Sequence, residues 1–161
     1  MKVYLAADHR GYALKEEIKN WLSEWGYEYE DMGAYLHDPA DDYPDFVIPA
    51  AKEVARDPEN RRGIIVGFNG QGEAIAVNRI TGVRAAVYYG EPKFLSESGK
   101  QRKPHNMLVL AREDDNTNVL SLAAGFLSDE DAKGAIKMWL EARFTGEERH
   151  VRRLNKIDEN R

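Results

Sequence analysis

The sequence predicts an α/β fold: a Rossmann-like three-layer sandwich with a five-stranded parallel sheet and helices on both faces. Short apolar runs alternate with amphipathic helical segments about five times along the chain. Strands separated by helices favour parallel pairing with right-handed crossovers. The length of 161 residues, with 42% hydrophobic and 32% charged residues, suits one globular core. We therefore expect a single domain over residues 1–161.

The first half of the chain is predicted to hold two strands and two helices. In order they are strand 2–7 (KVYLAA), helix 11–25, strand 27–32, a polar loop at 37–45 and a helix from Pro44 or Asp45 to about residue 55. Leu14, Ile18 and Trp21 recur at the spacing of one helix face. Gly26 is a typical helix stop, and proline favours the first helical turn.

The second half continues the alternation and ends in two helices. We predict strand 63–66, helix 73–79, strand 83–89, helix 107–112, strand 119–123, helix 128–143 and helix 147–157. Ser128 is a typical N-cap, and the acids that follow it suit the first turn of a helix. Residues 90–106 are polar and receive no assignment.

Composition excludes several classes of function. The chain has no cysteine, which excludes disulfides, thiolate metal sites and cysteine nucleophiles and agrees with a cytoplasmic location. Its net charge of −5 argues against nucleic-acid binding. No apolar run approaches the roughly 20 residues of a membrane span, and the N-terminus lacks a signal-peptide pattern.

Residues 64–74 (IIVGFNGQGEA) carry the most distinctive local pattern. Gly67, Gly70 and Gly72 lie between a predicted strand and helix, and Glu73 follows them. The spacing fits neither common nucleotide-binding glycine motif. Backbone N–H groups in such a loop can hold an anion, and an adjacent carboxylate adds a base. A tight turn that needs glycine for its backbone angles is the alternative.

Ligands of parallel sheets bind where the strands end. The positions expected to hold functional residues are therefore Asp8-His9, the loop 33–43 and the glycine loop 67–72. A histidine at such a position is as often structural as functional. Asp41, Asp42 and Asp45 do not have the spacing of a cation-binding loop, and the four histidines show no paired metal spacing. We therefore predict no metal.

The C-terminal segment EERHVRRLNKI places Arg149 and Arg153 on one helix face. Two neighbouring guanidiniums suit a phosphate. The alternative is a solvated basic face that pairs with Glu147 and Glu148.

Several stretches together resemble one family. They are AADHRGYALKEEIKNWL, DDYPDF, the glycine loop followed by AIAVNRITGVRAA, AREDDNTNVLSLAAGFLS and GEERHVRRLNKI. In this order, and over nearly the whole chain, they resemble the type B ribose-5-phosphate isomerase family, which includes the galactose-6-phosphate isomerase subunits. The resemblance implies a Rossmann-like fold and an enzyme that interconverts aldose and ketose phosphates through an enediolate. It also implies no metal or organic cofactor, and a homodimer or dimer of dimers with the active site at the subunit interface.

The resemblance also implies roles for individual residues. Many members carry a cysteine base at the position of Gly67, whereas a second subgroup uses a glutamate that Glu73 matches. Glu73 would then be the base, and Asn69 would donate a hydrogen bond beside the backbone N–H groups of the loop. The implied substrate-binding residues are Asp8, His9, Tyr43, Gly67, Phe68, Gly70, Gly72, Asn116, Arg149 and Arg153. The two arginines would hold the phosphate from the partner subunit, which the helix at about 147–158 is expected to reach.

Three departures from the family pattern concern ring opening and substrate choice. Asp114 and Asp115 stand where the family has the histidine and asparagine of R-E-H-N, and an aspartate is a poor proton donor at neutral pH. Gly125 replaces a phosphate-binding arginine. The segment before Arg112 is more than ten residues longer than usual. It contains a His105-Asn106 pair, which either restores the missing groups or belongs to a surface elaboration.

The expected function is interconversion of ribose 5-phosphate and ribulose 5-phosphate, with Glu73, Asn69, Asp114 and His105 as the catalytic candidates. Two alternatives stay open. One is an isomerase of a six-carbon or unphosphorylated sugar, and the other is a non-catalytic family member that binds a sugar phosphate. Nucleotide binding would rest on fold analogy alone.

Overall fold

The computed structural model describes residues 1–90 and 106–159, and within them it contains five strands and six helices. The strands are β1 (Lys2–Ala7), β2 (Glu28–Asp31), β3 (Arg61–Gly67), β4 (Ala85–Tyr88) and β5 (Val119–Ala123). The helices are α1 (Tyr12–Glu24), α2 (Pro44–Arg56), α3 (Gln71–Val77), α4 (Met107–Glu113), α5 (Asp129–Glu141) and α6 (Glu148–Asp158).

All strand pairs are parallel, in the order β2-β1-β3-β5-β4. The central register aligns Leu5 with Ile64 and Ile64 with Leu120. Near-continuous apolar runs are typical of strands that are buried on both faces. The predicted Rossmann-like α/β fold is therefore confirmed.

Alternate strand residues supply two separate cores, because successive side chains point to opposite faces of a sheet. Val3 and Leu5 pack in the first core, with α1 and α5, whereas Tyr4 and Ala6 pack in the second, with α2 and α3. The largest buried side chain is Trp139 of α5, in the first core. Full burial of a single large apolar side chain contributes about 1.5–3 kcal/mol.

Some predicted boundaries differ from the observed ones. β3 begins at Arg61 rather than at residue 63, because the ladder with β1 extends from Lys2 opposite Arg61. α3 begins at Gln71 rather than 73, since Gly70 adopts a left-handed conformation (φ +70°) that lets the chain turn directly into the helix. β4 is shorter than predicted, at Ala85–Tyr88.

Two helix starts follow from side-chain capping. The Ser128 hydroxyl accepts a hydrogen bond from the backbone N–H of Asp131 (3.1 Å), which confirms the predicted cap of α5. Asn106 caps α4 through bonds from the N–H groups of Leu108 and Val109. His105 lies outside the described residues. None of the helices described is long and apolar enough to cross a membrane.

The strand order places β1 beside β3 at the centre of the sheet, with β2 beyond β1 and β5 beyond β3. The connections that leave β1 and β3 therefore diverge. Such a switch point opens a crevice at the carboxyl ends of the strands, where ligands of this fold class bind. We call this side of the sheet the carboxyl edge and the opposite side, where the strands begin, the amino edge.

Candidate functional site

Asp8 and the glycine loop 67–72 lie together at the carboxyl edge, because they directly follow the neighbouring strands β1 and β3. The Asp8 carboxylate is 8% exposed. Its Oδ1 accepts hydrogen bonds from the backbone N–H groups of Arg10 and Gly11, both at 3.0 Å. These bonds fix the carboxylate at the mouth of the crevice.

Glu73 lies in the first turn of α3 and is 4% exposed. Burial raises the pKa of the Glu73 carboxyl above its ordinary value, and the nearby charge of Asp8 raises it further. A carboxylate whose pKa is raised by its surroundings accepts protons more readily near neutral pH. Glu73 therefore has the burial and the electrostatic setting of a general base.

Gly67 ends β3 beneath this carboxyl group. A Cβ atom added at Gly67 would collide with the carboxyl group of Glu73. The volume that a side chain at position 67 would occupy is thus already filled by the Glu73 carboxylate. Glycine at position 67 lets the Glu73 carboxyl group approach the backbone closely, and its φ angle is not positive.

Two further contacts shape the glycine loop. The Ser121 hydroxyl of β5 donates to the carbonyl of Gly70 (2.7 Å) and ties the loop to the neighbouring strand. The side-chain Oδ1 of Asn69 accepts from the N–H of Gln71 (3.0 Å). This bond uses the oxygen of the exposed Asn69 amide and leaves its NH₂ group as the donor for a ligand.

Tyr43 covers the start of α3 from the other side. Its ring carbon Cζ and its hydroxyl lie 3.0 Å from where a Cβ atom of Gly72 would be. The half-buried Tyr43 precedes α2, so the loop before α2 reaches the glycine loop. This places Tyr43 beside the site, as the sequence predicted.

His9 is oriented by an aspartate for which the sequence suggested no such role. Asp41 Oδ1 accepts from the backbone N–H of His9 (3.1 Å) and lies 2.6 Å from its Nδ1. The second oxygen of Asp41 is buried and lacks a hydrogen-bond partner among the described residues. If Nδ1 donates to Asp41, Nε2 is left as an acceptor for a substrate hydroxyl. The sequence shows Asp41 in the acidic loop, but the residues alone did not reveal that Asp41 contacts His9.

Asp8, His9 and Asp41 are also the one group in the described part of the chain with metal-compatible proximity, with ligand atoms within 4.8 Å of one another. The hydrogen bonds just described already use Oδ1 of both aspartates and Nδ1 of His9. The absence of a metal stays a prediction.

Phe68 and Gly125 form the outer wall of the crevice. The Phe68 ring occupies the space into which a side chain at Gly125 would project. It packs near Phe126 (5.9 Å between ring centroids), and the guanidinium of Arg10 lies over it at 4.4 Å from its centroid. The cation at this wall is therefore Arg10, which the sequence reasoning overlooked.

The remaining predicted residues lie at the amino edge. Asp114 ends α4 and its side chain is 39% exposed, with Oδ1 3.5 Å from Nε2 of the buried His150. Asn116 is buried, and its Oδ1 accepts a hydrogen bond from Arg112 (2.9 Å). Both residues precede β5, so within one chain they are separated from Glu73 by the length of the sheet.

Arg149 and Arg153 lie on α6, the predicted C-terminal helix, and both are exposed. Arg149 pairs with Glu147 (2.8 Å between Nε and Oε2), which matches in part the alternative of a paired basic face. His150 is the one residue of α6 described as buried, whereas Val151 and Ile157 are exposed. Most of this helix therefore faces away from its own domain.

The chain is similar to known proteins over nearly its whole length. Residues 3–157 match the family model described as Ribose/Galactose Isomerase. The chain is 33% identical over 159 residues to ribose-5-phosphate isomerase B of Mycobacterium tuberculosis, covering 99% of this chain and 89% of that protein.

Solved structures give the same result. The ribose-5-phosphate isomerase B of Mycoplasma genitalium, solved with bound ribulose-5-phosphate, aligns with a TM-score of 0.86 at 32% identity, covering 99% of this chain and 95% of that one. The ribose-5-phosphate isomerase B of Clostridium thermocellum aligns with a TM-score of 0.85 at 34% identity, covering 99% and 97%.

Proposed function

Since the chain belongs to the ribose/galactose isomerase family, we propose that it interconverts ribose 5-phosphate and ribulose 5-phosphate, with Glu73 as the catalytic base. Aldose–ketose isomerisation is the reaction class of its relatives. The observation that carries the assignment of the base is the buried Glu73 carboxyl, whose pKa is raised and which fills the space above Gly67. On this proposal the chain belongs to the glutamate-base subgroup.

The chemistry needs a base and a means of stabilising an oxyanion. Glu73 takes the proton from C2 of the open-chain aldose, and the electron pair moves through the new C1–C2 double bond to the carbonyl oxygen. The NH₂ group of Asn69 and the backbone N–H groups of the glycine loop would stabilise this enediolate. Once the hydroxyl proton has moved between the two oxygens, Glu73 returns its proton to C1 and the ketose forms.

The carboxyl edge binds the sugar end of the substrate on this proposal. Asp8 would accept hydrogen bonds from sugar hydroxyls, with His9 and Tyr43 beside it. The buried Asp8 is held by two backbone N–H groups, so it is preorganised to accept them.

The phosphate-binding arginines would come from a second copy of the chain. β3 has seven residues and therefore spans about 20 Å, so the two edges of one sheet are too far apart for one small sugar phosphate. Arg149, Arg153 and Asp114 of one chain can meet Glu73 only across an interface. We therefore propose a homodimer or a dimer of dimers, in which α6 reaches the partner and each site combines both edges.

Ring opening is assigned to the same interface. Asp114 is the described candidate, and the imidazole of His150 lies 3.5 Å from it. An imidazole both donates and accepts protons, so the pair can act where an aspartate alone would be a poor proton donor.

One observation supports a second candidate substrate. The ring of Phe68 occupies the space beside Gly125, where the family resemblance implies an arginine. Arg10 lies over this ring and is held against it; if it does not take the place of that arginine at the phosphate, the site would bind phosphate more weakly, which favours a six-carbon or unphosphorylated sugar as the alternative substrate.

The test is turnover of ribose 5-phosphate to ribulose 5-phosphate by the purified protein, its Glu73→Gln variant and a Glu24→Gln control. Glu24 is an exposed residue of α1 that pairs with Lys133. We expect Glu73→Gln to lower kcat about 10³-fold, because general base catalysis contributes about 10²–10⁴-fold, and Glu24→Gln to leave it unchanged.

Turnover that survives in Glu73→Gln would contradict the assignment of the base. No turnover by the unmodified protein would contradict the pentose-phosphate assignment, and hexose phosphates and free sugars would then be tested in the same assay. No turnover of any of these would leave the non-catalytic sugar-phosphate-binding reading.

A further inference from the structure

A cavity of about 690 Å³ opens at the amino edge, away from the carboxyl-edge crevice. Its walls come from the segments that precede the strands and from the end of α5. Among the residues that line it are Tyr27, Arg62, Arg112, Asn116, Leu140 and Phe144. Its volume lies within the range of small-molecule sites, about 300–1,000 Å³.

Two buried arginines line this cavity. Arg62 is 8% exposed and Arg112 is 3% exposed. Arginine is rarely buried to this extent without a charged partner. Arg62 directly precedes the predicted strand 63–66, and its sequence neighbourhood carries no signal of burial.

Neither guanidinium has an ionic partner in the part of the chain that the structure describes. Nη1 of Arg62 donates to the carbonyl oxygens of Pro58 (2.9 Å) and Glu59 (3.2 Å) and of the preceding Arg61. Nη1 of Arg112 donates to Asn116 Oδ1 and to the carbonyl of Thr117, and its Nε donates weakly to Ala142 (3.4 Å). These acceptors are all uncharged, and none of the bonds uses the Nη2 group of either arginine.

The positive charges also repel one another. Burial and the nearby positive charges of Arg62 and Arg84 lower the pKa of Arg112 to about 10, and the carboxylate of Glu59 at the rim only partly opposes this shift. Buried like charges are costly unless an anion compensates for them. The exposed residues of the rim carry mixed charges, from Glu59, Glu141 and Arg143.

We propose that the cavity at the amino edge binds a small phosphate-bearing molecule, with Arg62 and Arg112 as the phosphate ligands. Guanidinium groups bind phosphate through paired N–H donors. The amide of Asn116, whose oxygen is already used by Arg112, provides a further donor in the wall. Tyr27, Leu140 and Phe144 provide an apolar wall for the rest of the molecule. This site is additional to the proposed isomerase site, where a different arginine pair, on α6, would hold the substrate, and it assigns Asn116 to the cavity instead of to the sugar phosphate.

The experiment is calorimetric titration with inorganic phosphate in an Arg149→Gln/Arg153→Gln background, which removes the arginine pair proposed for the substrate. We expect saturable binding to persist in this background and to weaken at least tenfold when Arg62→Gln is added. The matched control is Arg61→Gln. Arg61 is the neighbouring residue of the same strand and pairs with Glu53 (2.9 Å) instead of lining the cavity. It should leave the affinity unchanged.

A second variant keeps the test decisive if Arg62→Gln unfolds. Glu59→Gln removes an exposed carboxylate from the rim and should tighten phosphate binding, because a negative charge near the anion is lost. The proposal is overturned if phosphate binding disappears in the Arg149→Gln/Arg153→Gln background, which would assign it to the substrate site. It is equally overturned if Arg62→Gln binds phosphate as before, if Glu59→Gln fails to tighten it, or if the unmodified protein binds none.

Discussion

The two edges of the sheet differ in how they hold their charged groups. At the carboxyl edge the acids are buried and fixed: Asp8 by two backbone N–H groups, and Glu73 in the space above a glycine. At the amino edge Arg149 and Arg153 stand exposed on α6. On the proposed function, the first edge moves a proton and the second meets the partner chain. One chain would then hold two different halves of a site rather than one complete site.

Mixing two inactive variants is the strongest test of this division. Glu73→Gln damages only the carboxyl edge, and Arg149→Gln/Arg153→Gln damages only the amino edge. If each site combines both edges from different chains, a mixed dimer has one intact site, and an equal mixture after exchange of subunits should recover about one quarter of wild-type activity.

The measurement is turnover before and after subunit exchange, with each variant alone as the control. Activity that stays at the level of the separate variants after exchange would place both halves of the site in one chain.

Substitution of Gly67 tests the organisation of the carboxyl edge. Gly67→Ala places a methyl group where the Glu73 carboxylate lies, and we expect kcat/KM to fall about 100-fold, since small displacements of catalytic groups have effects of this size. The control is Gly134→Ala in α5, where nothing lies within 4 Å of the added Cβ. That variant should gain about 0.5–1 kcal/mol in unfolding free energy. Wild-type turnover in Gly67→Ala would contradict the observed packing.

Asp41→Asn tests whether Asp41 is needed to orient the His9 ring. The variant exchanges a charged acceptor for a neutral one, so it should weaken the orientation of His9 and lower kcat/KM about tenfold, equivalent to about 1.4 kcal/mol. The neighbouring exposed Asp42 provides the control, because Asp42→Asn should have no effect. Equal effects of the two variants would indicate a general role of loop charge instead.

The pH dependence of kcat/KM gives the smallest expected effect. A Glu73 that serves as the base must be ionised, so activity should fall as the pH drops through its pKa, which burial and Asp8 raise above the ordinary 4.5. Asp8→Asn removes one of these causes and should shift the acid limb to lower pH. If the acid limb does not move, the charge of Asp8 does not influence the pKa of the titrating group.

The pH dependence of stability should be opposite in sign to the pH dependence of activity. A carboxyl whose pKa is raised by folding binds more protons in the folded than in the unfolded state, so the unfolding free energy falls as pH rises through that window. At neutral pH Glu73→Gln should therefore be at least as stable as the wild type, even though it is inactive. Chemical denaturation of both proteins at neutral pH measures this.

The sequence predicted the fold well because the fold depends on periodicity. The spacing of Leu14, Ile18 and Trp21 and the apolar runs of the strands suffice to set the layers and the parallel sheet. Ser128 could be recognised as a cap because its hydrogen bond is local, to a residue three positions later.

The contacts between distant segments could not be predicted in the same way. Asp41 meets His9 across 32 positions of the chain, and Arg10 lies over Phe68 only because β1 and β3 are neighbours. The role of Arg62 depends on a cavity that exists only after α5 has packed against the sheet. Such pairs follow from topology, and topology gives no local signal at the residues involved.

The space above Gly67 can hold either a side chain at position 67 or the Glu73 carboxyl group, and this limits which substitutions the site accepts. A cysteine side chain at position 67 would claim the space that the Glu73 carboxyl group occupies. Gly67→Cys should therefore displace Glu73 from its present position, and the two groups would not both act from the places that a base at either position needs. Laboratory evolution towards a thiol base should therefore recover Gly67→Cys only in combination with a shorter residue at position 73.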